Sequence, residues 1–282
     1  MTAGRFIALA LTAALATAGC GHTERHATEL VVGSHAGVES TLLADVYTGA
    51  LRSYGFPART EQASNPLAKL DSGTFVVVPS LTGRVLQAFQ PGATVRSDIQ
   101  VYKAMIGALP EGIAAGDYTT AAEDKPALAV AESTSKSWGG SDLSALPQHC
   151  DGLVVGSIAG APTPSAVGSC RLLAAREFAD DAKLFAAVKA GEVTAAWTTT
   201  ADPNVPADLV VLTDGKPALV QAENVVPLYR RNELTDRQLL AVNEVAGVLD
   251  TAALVEMRRQ VTAGADPQAV ADAWLNEHPL GR

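Results

Sequence analysis

The chain of 282 residues is long enough for one large domain or two lobes of ordinary size, each with its own core. With 48% hydrophobic and 18% charged residues it is not a disordered chain, and three cysteines exclude a disulfide-dense miniprotein. Its 21 basic and 30 acidic residues give a net charge of −9 with no basic block, which excludes nucleic acid as a partner because phosphate neutralisation needs clustered Lys and Arg.

The first residues read as an address. Arg5 precedes an apolar run over residues 6–18, shorter than the roughly 20 residues a bilayer crossing takes. The run leaves through Ala16-Thr17-Ala18-Gly19-Cys20, so residues 1–19 have the form of a secretory signal peptide. Gly19-Cys20 resembles the end of a bacterial lipobox, with Thr17 where a leucine is usual. That implies a lipid on Cys20, a tether over 20–28, and a place on the extracytoplasmic face of the cell membrane. Ordinary cleavage with an incidental Cys20 is the alternative.

Beyond the tether, Leu30-Val31-Val32 predicts a buried strand running into a Gly33-Ser34 turn, and a helix follows over 39–53. A second strand is expected over 74–78, ending at Pro79, then Ser80 to Gly83 and another helix. Further strands are expected over 127–131, 153–155, 193–198 and 208–212, with a helix over 184–189. The last 50 residues read as three helices, with Thr235 and Asp250 as N-caps and Asp266-Pro267 opening the third. Residues 257–260 give a basic end that suits a helix C-terminus. Short apolar runs alternating with amphipathic helices predict an α/β protein with largely parallel sheets.

Residues 30–37 read Leu-Val-Val-Gly-Ser-His-Ala-Gly and residues 153–160 read Leu-Val-Val-Gly-Ser-Ile-Ala-Gly. Such an echo suits two similar lobes, each placing a Gly-Ser turn at the carboxyl end of a strand, where ligands sit in open α/β sheets. Chance likeness in an Ala/Gly/Val-rich chain is the alternative. In an exported chain, Cys150 and Cys170 are expected to form a disulfide, closing a loop worth about 3 kcal/mol. Free buried thiols are the other reading. Only His149 lies nearby and no Cys-x-x-Cys spacing exists, so no metal is expected.

Enzyme chemistry finds no motif. Both Gly-Ser pairs place the serine one position early for a nucleophile elbow, and there is no Walker loop, Gly-x-Gly-x-x-Gly or His-x-x-x-His. His22 and His26 fall in the tether and His278 near the C-terminus; His35, a possible general base, reads more simply as a hydrogen-bonding loop histidine.

Leu30-Val31-Val32-Gly33-Ser34-His35-x-x-x-Glu39 resembles the opening of substrate-binding proteins of glycine betaine and osmoprotectant ABC importers. The likeness runs collinearly through Val78 to Gly83, Ala122 to Lys125, Trp197-Thr198-Thr199, Asp208 to Leu212, Asn224 to Pro227, and the tail with Asp266-Pro267 and Trp274-Leu275. It is similar to the mycobacterial or actinobacterial form of this group. The resemblance implies a two-lobed periplasmic-binding-protein fold of type II with a hinge and an interlobe cleft. The first lobe would hold 29–127 plus 228–282 and the second 128–227. It further implies a monomeric lipoprotein that delivers a small osmolyte-like molecule (betaine-type, cationic or polar) to ABC permease subunits, without a cofactor or metal. A transport-inactive envelope sensor or scaffold of the same fold is the alternative.

The resemblance assigns ligand binding to Ser34, His35, Glu39, Ser80, Leu81, Thr82, Tyr118, Glu123, Asp124, Trp197, Thr198, Thr199, Glu223 and Asn224. This sequence departs from the family where it cages a quaternary amine in aromatic rings. Leu81, Glu223 and Pro126 stand where tyrosines are expected, leaving Tyr118, Trp197 and Trp138 as the available rings. The acids among these residues suit a cationic or polyhydroxylated ligand through charge-assisted hydrogen bonds.

Overall fold

The computed structural model describes residues 29–281, so the signal, the tether and Cys20 lie outside the described residues. The first segment runs β1 (Leu30–Ser34), α1 (Val38–Ser53), β2 (Ala58–Gln62), α2 (Pro66–Asp71), β3 (Val77–Leu81), α3 (Thr82–Phe89), α4 (Asp98–Ala108) and β4 (Ile113–Ala115). The chain then builds β5 (Pro126–Ala131), α5 (Glu132–Ser137), a 3-10 helix (Leu143–His149), β6 (Val155–Ile158), a small hairpin of β7 (Ala166–Val167) and β8 (Cys170–Arg171), β9 (Arg176–Phe178), α6 (Asp181–Lys189), β10 (Ala195–Thr199) and β11 (Leu209–Val211). It returns as β12 (Val225–Arg230), α7 (Asp236–Val248), α8 (Thr251–Thr262) and α9 (Pro267–Glu277).

Two five-stranded sheets result, in the orders β2-β1-β3-β12-β4 and β9-β6-β10-β5-β11. Each has four parallel strands and one antiparallel strand in the fourth place, β12 in the first and β5 in the second. The echoed segments occupy equivalent places: β1 and β6 are each second from an edge. Gly33 and Gly156 lie within these strands rather than in turns after them, and the neighbouring side chains come too close there for a Cβ. At Gly33 it would overlap the Phe75 ring, and at Gly156 it would lie 2.6 Å from Leu184. The turns come one or two residues later.

The sheets divide the chain two or three residues earlier than the resemblance implies. Pro126 and Ala127 pair with Thr199 and Thr198 in the second sheet, and Val225 to Pro227 pair with β3 in the first. Strand β3 also extends past Pro79, where the sequence had it stop. The Thr82 N–H donates to Asn224 O, and alternation along the ladder then makes Pro79 and Pro227 a non-hydrogen-bonded pair. Neither proline therefore owes an N–H to the other's strand; on the far sides, the β1–β3 ladder goes no further than Val77, and Gly116 O accepts the Tyr102 hydroxyl in place of an N–H from Pro227.

Helix α1 is buried along every residue from Leu42 to Leu51, enclosed by the first sheet and by α7, α8 and α9. Enclosed on several sides, it is not a one-faced stripe, and its buried stretch includes the polar Asp45 and Thr48, the latter bonded to the Thr60 hydroxyl. The three C-terminal helices begin at the expected caps: Thr235 closes a capping box with Gln238, and the carboxylates of Asp250 and Asp266 accept the N–H groups of Ala253 and Ala269. In the second lobe Cys150 and Cys170 are bonded, tying the 3-10 helix to the β7–β8 hairpin over a core of Leu128, Leu146, Val155 and Trp197. Trp138 stacks on His149 at the edge of this core, ring centroids 4.9 Å apart. No single helix among the described residues is long and apolar enough to cross a membrane.

Candidate functional site

The two crossings between sheets run side by side. Glu123 bridges Asn224, and the Asp124 N–H donates to Glu223 O at 2.8 Å. Around this pair the carboxyl ends of β1 and β3 and the start of α3 face the ends of β6 and β10. Two adjoining cavities open there, of about 460 Å³ on the first-lobe side and about 610 Å³ between the lobes, and they share Glu39 and Arg84.

The first cavity is lined by His35, Glu39, Ser80 and Leu81, together with Arg84 and Arg258. His35 is exposed, and its backbone N–H donates to Ser40 Oγ. Ser34 beside it is fully buried at the end of β1. The second cavity gathers Glu39, Asp124, Glu223, Trp197, Thr198 and Thr199 from the expected set, and adds Ser157, Asp181, Asp202 and Asn204 from the second lobe. Trp197 is the one aromatic ring in its wall.

The other expected residues are placed elsewhere. Thr82 is buried, its hydroxyl donating to Ala222 O and accepting from the Asn224 N–H at 3.0 Å, while the Asn224 amide donates to Thr119 O. These bonds fasten the second crossing to α3. Tyr118 packs on Tyr102, centroids 4.5 Å apart, on the far side of the first sheet's core. Glu123 pairs with Lys125 at 3.2 Å outside both cavities.

Arg258, expected as part of a basic helix C-terminus, is 1% exposed. Its guanidinium donates to Asp124 Oδ2 at 2.9 Å and to Ala201 O at 2.9 Å, and stands 3.7 Å from Glu39. A first-lobe helix thus grips a crossing and a second-lobe backbone carbonyl with one side chain. Burial alone would raise the Asp124 pKa, but the Arg258 hydrogen bond and charge outweigh it and hold the carboxyl below its ordinary value. Burial likewise opposes the charge on Arg258, and Asp124 overcomes it, raising that pKa.

Glu223 behaves oppositely. Its carboxylate accepts the Arg84 N–H at 2.9 Å, at the start of α3, and a Cβ on Gly83 would lie 2.7 Å from its Oε1. The helix N-terminus favours the charge, yet burial wins and pushes the pKa up to about 7. A carboxyl with a folded pKa above its unfolded one binds its proton more tightly in the native state, so its contribution to stability falls as pH rises from about 4.5 to about 7. Urea unfolding of Glu223→Gln beside the parent should show a flatter pH dependence across that window. Identical slopes would show that Glu223 is solvated.

Asp181 and Asp202 have no cation within 4.0 Å among the described residues. Asp202 accepts the Thr198 hydroxyl at 2.6 Å and the Asn204 N–H, and Asp181 accepts the Asn204 amide at 2.9 Å. Burial and the Asp202 charge raise the Asp181 pKa. Among the described residues no group of three or more His, Cys, Asp or Glu could hold a metal ion.

Two lobes joined by paired crossings, with a polar cavity at facing strand ends, define a ligand-binding protein of the type II periplasmic kind. Residues 28–277 match OpuAC, the substrate binding domain of ABC-type glycine betaine transport system, and the chain belongs to that family. No curated protein matches at the sequence level. Among solved structures, the fold is similar to apo YehZ from Escherichia coli (TM-score 0.71, 19% identity, 90% of this chain and 99% of that one). It is also similar to a glycine betaine/carnitine/choline ABC transporter structure (TM-score 0.73, 15% identity, 88% and 98%). A choline binding protein in complex with choline follows at TM-score 0.54 and 18% identity, covering 89% of each chain.

Proposed function

We propose that the chain captures a small polar or cationic solute between its lobes, outside the cytoplasm, and hands it to the permease subunits of an ABC importer, held to the membrane by a lipid on Cys20 and acting as a monomer. The cavity of about 610 Å³ between the lobes carries this reading, because it combines both sheets' strand ends with the two crossings about which the lobes would close. Family membership over residues 28–277 supports the transport role.

The test is a thermal-shift panel on the mature protein with glycine betaine, choline, carnitine, ectoine, proline, polyamines and sugars. A ligand at about 1,000 times its Kd stabilises by about 4 kcal/mol. At about 2–4 °C per kcal/mol the Tm should rise by roughly 8–16 °C. A panel without any shift would refute capture of these solutes.

A further inference from the structure

The wall of the interlobe cavity is unusually poor in what a quaternary ammonium needs and rich in what an N–H donor needs. Trp197 is its one ring, whereas a methylated cation is ordinarily held by several aromatic faces. Five carboxylates line the same wall against one cation, Arg84. Arg258 answers two of them, Asp124 and Glu39. Asp181, Asp202 and Glu223 have no salt bridge to any described residue, and each keeps hydrogen bonds only from neutral donors of the chain.

A second sign of a missing donor lies in the same wall. Asp124 lines this cavity, is 1% exposed, and spends Oδ2 on Arg258, while Oδ1 has no hydrogen-bond partner; Arg258 Nε beside it is also unpaired. The Thr199 hydroxyl beside it lowers the pKa of the group without closing that gap. Buried carboxylate oxygens are ordinarily satisfied, and an empty acceptor costs stability. Burial raises the pKa of both Asp181 and Glu223; the Arg84 charge offsets this only in part at Glu223, and no cation of the chain offsets it at Asp181.

We infer that the cleft selects a solute whose cationic end carries N–H donors, a primary or secondary ammonium or a guanidinium, seated among Asp181, Asp202, Glu223 and Asp124 with Trp197 against its apolar stem. This inference rests on the solute-binding reading above and names its substrate class. Arg84 stays free to meet an anionic group at the other end of the same molecule.

Successive N-methylation tests it, since each methyl removes one N–H donor while the cation is kept. Calorimetric titration of the mature protein would use glycine, sarcosine, N,N-dimethylglycine and glycine betaine, and in parallel ethanolamine, its mono- and dimethyl derivatives, and choline. Affinity should fall along a series, by roughly tenfold for each lost charge-assisted hydrogen bond. Asp181→Asn should weaken the unmethylated member, with an unchanged Tm showing an intact fold. Affinity that rises to the fully methylated compound overturns the inference and leaves the transport reading standing. Absence of binding by every member overturns both.

Discussion

Replacing Arg258 with alanine is expected to destabilise the protein by about 3–5 kcal/mol, the range found when one partner of a buried ion pair is removed. The change strips Asp124 of its counter-charge in a site where it is 1% exposed, and it frees the Ala201 carbonyl and the Glu39 carboxylate together. Burial would then dominate the Asp124 pKa and raise it, so the loss should be smaller in mildly acidic buffer, where the stranded carboxyl takes a proton. Chemical denaturation at neutral and acidic pH checks both statements. A paired change to Arg258→Leu and Asp124→Leu should recover most of the stability, since a buried ion pair replaced by apolar side chains is often neutral. A single-variant loss under about 1 kcal/mol would show that water already serves the pair.

The second large effect is expected from opening the Cys150–Cys170 link. A closed loop of that size restrains the unfolded chain by about 3 kcal/mol in the chain-entropy account, which at about 2–4 °C per kcal/mol lowers Tm by roughly 6–12 °C. The double change Cys150→Ser with Cys170→Ser, followed by differential scanning calorimetry, measures it. The loss belongs to the second lobe, where the link clamps the 3-10 helix and the hairpin over Leu128, Val155 and Trp197 of the sheet. An unchanged melt in the double variant would mean that packing alone holds these pieces.

Local signals in the sequence carried most of the architecture. The buried strands, the capped C-terminal helices and the repeated Leu-Val-Val-Gly-Ser segment are written in adjacent residues; the helix caps fall where expected, while β3 and β6 begin two or three residues later than expected and the Gly-Ser pairs lie inside strands rather than in turns. Strand β3 was misjudged because the tolerance of Pro79 depends on its register: the N–H it lacks would point away from β12 towards β1, whose pairing with β3 goes no further than Val77, a fact that no local reading contains. The edge strands β2 and β9 are polar and carry little pattern.

The site was less legible than the fold. Trp197, Thr198, Thr199, Asp124 and Glu223 meet at the cavity, but Tyr118 and Asn224 do not line it. Asp181 and Asp202 were missed because each sits in an ordinary context, a helix start and a turn. Arg258 left a signal that was there to use: Leu254, Met257, Arg258 and Val261 fall at helical spacing on one buried face, and a cation in an apolar stripe asks for a buried partner.

The interchange of strands between lobes also dictates an order of assembly. The second sheet is made from one uninterrupted stretch, so it can close as soon as that stretch exists. The first sheet cannot, because β12, which separates β3 from β4, is made only after the whole second lobe. Until it arrives, the facing edges of β3 and β4 are unpaired and α1 lacks the helices that enclose it. A nascent or translocating chain therefore matures from its middle outwards, and its N-terminal half stays dependent on residues made last.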